Sequence, residues 1–141
     1  MRSMKECVAV SACLLGIKTK YDGGDNNREE VWKMIKGKTV LLICPEVFSG
    51  MSTPRNPSEI KGNKVISDKM EDVTFLFEKG AAETLDFLQR NNCKKAILKD
   101  GSPSCGSALI DDGTFTHHKI PGKGITAKIL VENGIEVVTI K

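Results

Sequence analysis

The chain has 141 residues, 40% of them hydrophobic, which suits one continuous core over residues 1–141 and is too little for two independent ones. Its 21 Lys and Arg against 18 Asp and Glu leave a scattered formal charge of +3, and with one Trp, one Tyr and five Phe it lacks the basic, aromatic-interleaved stripe of a nucleic-acid surface. No apolar run approaches the roughly 20 residues of a membrane span and the amino end has no secretory apolar stretch, so a cytoplasmic protein with neither a membrane nor a stable nucleic-acid partner is expected.

Val8 to Val10 is a short apolar run that breaks into Ser11-Ala12-Cys13 and then Gly16, the pattern of a buried strand feeding a loop. A helix is expected over Asn27 to Lys36, with Val31, Met34 and Ile35 on one face, Asn27 as its cap and Glu30 as the capping-box acid. Thr39 to Ile43 repeats the strand pattern and ends at Cys44-Pro45. From Cys44 to Met70 there is little periodicity, and the prolines of Ser52-Thr53-Pro54-Arg55-Asn56-Pro57 exclude a central strand, so a long loop with a function is expected. Met70, Val73, Phe77, Ala81, Leu85 and Leu88 then recur at helical spacing, with Gly80 as the one break in the pattern.

Ala96 to Leu98 is a third apolar strand, running into Lys99-Asp100-Gly101 and Ser102-Pro103-Ser104-Cys105-Gly106. Ala108 to Phe115 reads as a hairpin turned by Asp111-Asp112-Gly113, Ile125 to Glu132 as a last helix stopped at Asn133-Gly134, and Glu136 to Ile140 as a fourth strand. Short apolar strands alternating with amphipathic helices predict an α/β fold, a Rossmann-like three-layer domain with a mainly parallel central sheet.

Five cysteines and no export signal favour reduced thiols or metal ligands over disulfides. Cys13, Cys44 and Cys105 each follow the carboxyl end of a predicted strand, and in a parallel sheet those ends share the edge where ligands bind. Cys7 and Cys93 precede strands and belong at the other edge. Three thiolates suit zinc with a fourth ligand, or three irons of a [4Fe-4S] cluster, and spacing alone does not choose between them; five buried, inert thiols are the bland alternative. Glu46, two residues beyond Cys44, is placed to act as an acid or base, or else is a solvated loop carboxylate. Ser102 and Ser104 are placed to orient water, or else simply form the turn. Arg55 is free to pair with an anion or with Asp22, Tyr21 to wall a planar substrate, and His117 and His118 read as a diverging surface pair. Gly122 and Gly124 precede a helix but lack the Lys-Ser/Thr of a phosphate loop.

At these residues the chain resembles the DUF523 family, which includes the bacterial 2-thiouracil desulfurases. The resemblance rests on Ser11-Ala12-Cys13-Leu14-Leu15-Gly16 with Tyr21-Asp22-Gly23, on Cys44-Pro45-Glu46 with Pro54-Arg55-Asn56-Pro57, and on Ser102-Pro103-Ser104-Cys105-Gly106. Asp112-Gly113-Thr114-Phe115 and Gly122 to Ala127 extend it over most of the chain. It implies a [4Fe-4S] cluster on Cys13, Cys44 and Cys105 with one iron left without a protein ligand. It also implies Glu46 as catalytic acid or base and Ser102, or else Ser104, as the assisting serine. The reaction implied is hydrolytic desulfuration of a small thiolated base such as 2-thiouracil; the alternative is a nonenzymatic sulfur or metal carrier. Three positions depart from the usual pattern: Lys18-Thr19, Ser49 and Asp100-Gly101.

Overall fold

The computed structural model describes residues 5–141. Four parallel strands form its central sheet: β1 (Cys7–Ser11), β2 (Thr39–Ile43), β5 (Lys95–Lys99) and β8 (Glu136–Ile140), in the order β2-β1-β5-β8. The sheet is in register from Cys7↔Thr39 to Ser11↔Ile43 on one side of β1 and from Ala9↔Ala96 on the other. The chain leaves β1 outward to β2, returns to β5 on the far side of β1 and continues to β8. The order therefore reverses between β1 and β5, which opens a crevice beyond their carboxyl ends.

Alternation along each strand divides the core in two. Val8, Val10, Ile97 and Ile140 face the side covered by Leu14, Leu15 and α1 (Glu29–Met34). Ala9, Ile43, Ala96 and Leu98 face the side covered by α3 (Thr74–Arg90) and α4 (Ile125–Glu132), through Leu88, Ala127 and Leu130. Helices thus lie on both faces, which makes the three layers expected of an α/β fold. Complete burial of side chains such as Ile97 and Leu98 contributes about 1.5–3 kcal/mol each. Among the described residues no helix is long and apolar enough to cross a membrane.

Several local expectations need correction. The first helix begins at Glu29 after Arg28, without a side-chain cap. Asn27 instead accepts a hydrogen bond from Trp32 Nε1 at 2.8 Å, so its carboxamide is unavailable to the helix end. The third helix begins at Thr74 rather than Met70, because Met70 has φ 63° in the turn after β4 (Lys64–Ser67). The stretch from Cys44 to Met70 is not one loop. It holds the short helix α2 (Pro45–Phe48) and an antiparallel hairpin of β3 (Ser58–Lys61) with β4, turned at Gly62-Asn63. The later hairpin pairs β6 (Leu109–Asp111) with β7 (Lys119–Pro121), so its turn runs over 112–118 and Phe115 sits in that loop.

Gly80 has a positive reason to interrupt its helical pattern. A Cβ there would meet the Pro45 carbonyl oxygen at 2.1 Å, so α3 approaches the backbone beside Cys44 only because residue 80 has no side chain. On an open helix face Gly→Ala stabilises by about 1 kcal/mol. Here Gly80→Ala is expected to destabilise by about 1–3 kcal/mol, as overpacking does. The denaturant midpoint reads the sign directly, and a stabilised variant would refute the close approach.

Candidate active site

Cys13 sits in the 3₁₀ turn Ala12–Leu15 that follows β1, closed by Gly16 at φ 85°. Its sulfur accepts a hydrogen bond from Asn26 Nδ2 at 3.4 Å, and its carbonyl accepts one from the Asn26 backbone at 2.9 Å. Cys44 follows β2 in an extended conformation at the N-cap of α2, and Pro45 takes the first helical position, where its fixed φ and missing N–H cost nothing. Cys105 lies in the loop after β5 and is almost fully buried. All three line one cavity of about 580 Å³ at the carboxyl edge of the sheet, together with Glu46, Arg55 and Ser102.

The cavity's electrostatics tie the three sulfurs to one another. Burial pushes all three thiols up. At Cys105 the Ser11 hydroxyl opposes that rise, while charge on Cys44 or Cys13 adds to it. Cys13 likewise feels Cys44, against the opposing Asn26 hydrogen bond. Three thiolates therefore repel one another in a desolvated space, and a bound cationic centre is what would deprotonate them together. Soft sulfur donors on three separate loops suit an iron–sulfur cluster. Among the described residues, no three His, Cys, Asp or Glu side chains close on a position for a single metal ion.

Glu46 is not a solvated loop carboxylate. Its Oε1 accepts from Arg55 Nε at 3.1 Å and its Oε2 from Ser104 Oγ at 3.1 Å, and the Glu46 and Arg55 side chains are only 15% and 7% exposed. Arg55 does not pair with Asp22, which instead lies 3.8 Å from Lys20. The Arg55 guanidinium also donates to the Thr19 carbonyl at 2.7 Å, fastening the Pro54-to-Pro57 segment across to the Cys13 loop. The two serines divide the work. Ser104 is buried and holds Glu46, whereas the Ser102 hydroxyl accepts the Cys105 N–H at 2.8 Å and lines the cavity with its own proton free to donate.

The three departures from the family pattern have local explanations. Thr19 acts through its carbonyl, which any residue supplies. Ser49 adopts an ordinary helical φ of −72° and its hydroxyl donates to the Glu46 carbonyl at 2.6 Å, closing the turn that carries Glu46. Asp100 is the anchor of the Cys105 loop: its Oδ1 accepts the backbone N–H groups of Ser107, Ala108 and Leu109 at 3.0–3.1 Å. Burial raises the Asp100 carboxyl, but these donors and Gly101 outweigh it and hold the pKa below the usual value.

A depressed carboxyl stabilises the fold above the unfolded value of about 3.9 and loses that contribution as pH falls through the folded one. Asp100→Asn keeps an acceptor but not the charge, so it is expected to cost about 1–2 kcal/mol at pH 7. The gap between wild type and variant should shrink below about pH 4, read as denaturant midpoints. An equal gap at pH 7 and pH 3 would remove the charge from the account.

Other residues fall into place around this centre. Gly122 to Ala127 is a dock for the Cys105 loop, not an anion site: Ile125 and Thr126 donate to the Pro103 and Ser104 carbonyls, and a Cβ on Gly124 would meet Ser104 O at 2.5 Å. Of the histidine pair, His117 lines the cavity and His118 does not. Cys7 and Cys93 sit beside each other at the amino edge, where burial pushes Cys93 up to about 11 and Cys7 adds to the rise. Lys99, Glu59 and Phe115 also line the cavity and were not singled out by sequence reasoning. Lys99 had a visible signal as the cation ending the third apolar run and Phe115 as the last residue of the Asp112-to-Phe115 motif, whereas Glu59 had none.

Comparison with known proteins agrees with this architecture. Residues 8–141 match the family model described as 2-thiouracil desulfurase. A protein of Bacillus subtilis (strain 168), named as uncharacterized protein YbbK, is 40% identical over 142 residues, covering 94% of each chain. The solved structure of a [4Fe-4S]-dependent thiouracil desulfidase, TudS, superposes with a TM-score of 0.90 at 38% identity, covering 96% of this chain and 91% of that one. With the family model spanning both sheet edges and all three cavity cysteines, the chain belongs to the 2-thiouracil desulfurase family.

Proposed function

We propose that this chain hydrolytically desulfurises a small thiolated pyrimidine such as 2-thiouracil, giving sulfide and the oxo base. The observation that carries the reading is the convergence of Cys13, Cys44, Cys105 and a fastened Glu46 on one cavity. Cys13, Cys44 and Cys105 would hold a [4Fe-4S] cluster with one iron lacking a protein ligand. When bound, the cluster supplies a Lewis-acidic iron with affinity for exocyclic sulfur.

The protein's own groups account for the rest of the chemistry. Arg55 and Ser104 aim Glu46, and a carboxylate with both oxygens already anchored retains lone pairs to take a proton from water. That water adds its oxygen to the ring carbon bearing sulfur. The carbon–sulfur bond then breaks as the new hydroxyl gives up its proton to become the carbonyl, and that proton and the one held by Glu46 leave with the sulfur as hydrogen sulfide. Ser102, whose proton is not used in the turn, donates to the incoming oxygen. One water enters and one hydrogen sulfide leaves, with no net electron transfer. The test is sulfide release from 2-thiouracil by anaerobically reconstituted protein; a fully loaded protein that releases none overturns the reading and leaves a carrier role.

A further inference from the structure

We infer that Phe115 is the face on which a planar thio-heterocycle stacks, and that Glu59 is the positioning residue that holds it there. The inference rests on the desulfurase reading and adds to it a basis for choosing ring compounds over open-chain thioamides. Phe115 and His117 both line the cavity, and both have left-handed backbone, at φ 59° and 62°. A bulky side chain adopts that region only where its surroundings impose it, and such residues cluster at functional sites.

The imposing group is identifiable. Glu59, on β3 and 7% exposed, accepts the Gly113 N–H at 2.9 Å and the Phe115 N–H at 3.1 Å through the same oxygen. Gly113 is pressed onto the hairpin so closely that a Cβ would meet Ile60 O at 2.9 Å. Thr114 is tied to Asp112 and to Thr116 at 2.6 Å each. This loop, far along the chain from the cysteines, is thus held rigidly with a half-buried aromatic ring on the cavity wall. Tyr21, from the loop after Cys13, is a second aromatic lining the same cavity. A flat ring held by aromatic faces keeps its orientation without a hydrogen-bond code, whereas an open-chain thioamide offers no such face.

Uracil serves as an unreactive ring probe, titrated calorimetrically into cluster-loaded protein under anaerobic conditions. Phe115→Ala is expected to weaken uracil binding roughly 5- to 150-fold and to raise the KM for 2-thiouracil in step. Iron and sulfide content should be unchanged, and Phe115→Tyr should restore uracil binding. Glu59→Ala should reproduce the loss, with Glu59→Gln, which keeps an accepting oxygen, recovering part of it. Unchanged uracil binding in Phe115→Ala at full iron and sulfide content, or a Phe115→Tyr variant that fails to restore it, overturns this inference while sulfide release by wild type keeps the desulfurase reading intact. Loaded wild type that releases no sulfide from 2-thiouracil overturns both.

Discussion

Cys44→Ala is expected to abolish stable cluster incorporation, while Cys93→Ala retains it. Both changes remove one sulfur, but from opposite edges of the sheet. Cys44 is placed by the end of β2 and the first residue of α2, where its sulfur shares a neighbourhood with Cys13 and Cys105. Cys93 is buried among Leu88, Ala96 and Leu130 beside Cys7, so its loss leaves a small core void and no change in the cavity. Two thiolates cannot hold three irons, and the two that stay are already pushed towards the protonated form by burial. Removing one ligand therefore costs a bond and also returns the others to thiols. Iron and sulfide counts with absorbance after anaerobic reconstitution make the comparison. Equal loading of the two variants would reject Cys44 as a ligand, whatever their activities.

The placement of these sulfurs was legible because it depends on few facts. Each cysteine follows an apolar run, and a parallel sheet sends the ends of such runs to one edge, so chain separation hardly matters. The sheet itself followed from the same runs. What escaped was held by contacts that leave no periodic trace. The β3–β4 hairpin sets Ile60 opposite Val65 across the Gly62-Asn63 turn, a signal outweighed by the prolines just before it. Arg55 looked free to pair with an anion or with Asp22, because its actual partner lies nine residues back on a different element. Gly80 looked like a weak point in a helix, since nothing local announces that Pro45 packs against it. Asp100 looked like a mere departure from the family pattern, and its three backbone partners lie seven to nine residues onward, at the entry to β6. Side-chain-to-backbone anchoring of this kind is settled by tertiary approach, which single-chain pattern reading does not contain.

Glu46→Gln is expected to lower sulfide release from 2-thiouracil by roughly 10²- to 10⁴-fold at equal cluster content, the loss typical of a positioned proton-transfer group. The carboxamide keeps the shape and one accepting oxygen, so Ser104 and Arg55 still find a partner, but it takes no proton from water. Two effects of the substitution must be kept apart. Glu46 and Arg55 form a largely buried ion pair, and neutralising one member leaves the guanidinium poorly compensated, which destabilises the site. That structural loss would show as a lower unfolding midpoint and lower loading, both measured on the same preparation. Arg55→Met supplies the contrast, for it removes the clamp from Glu46 and from the Thr19 carbonyl while leaving a carboxylate able to act. It should retain activity well above that of Glu46→Gln once each is normalised for bound iron. If Glu46→Gln and wild type release sulfide at the same normalised rate, Glu46 has no part in moving the proton, and its place beside the three cysteines is that of an anchor for Arg55.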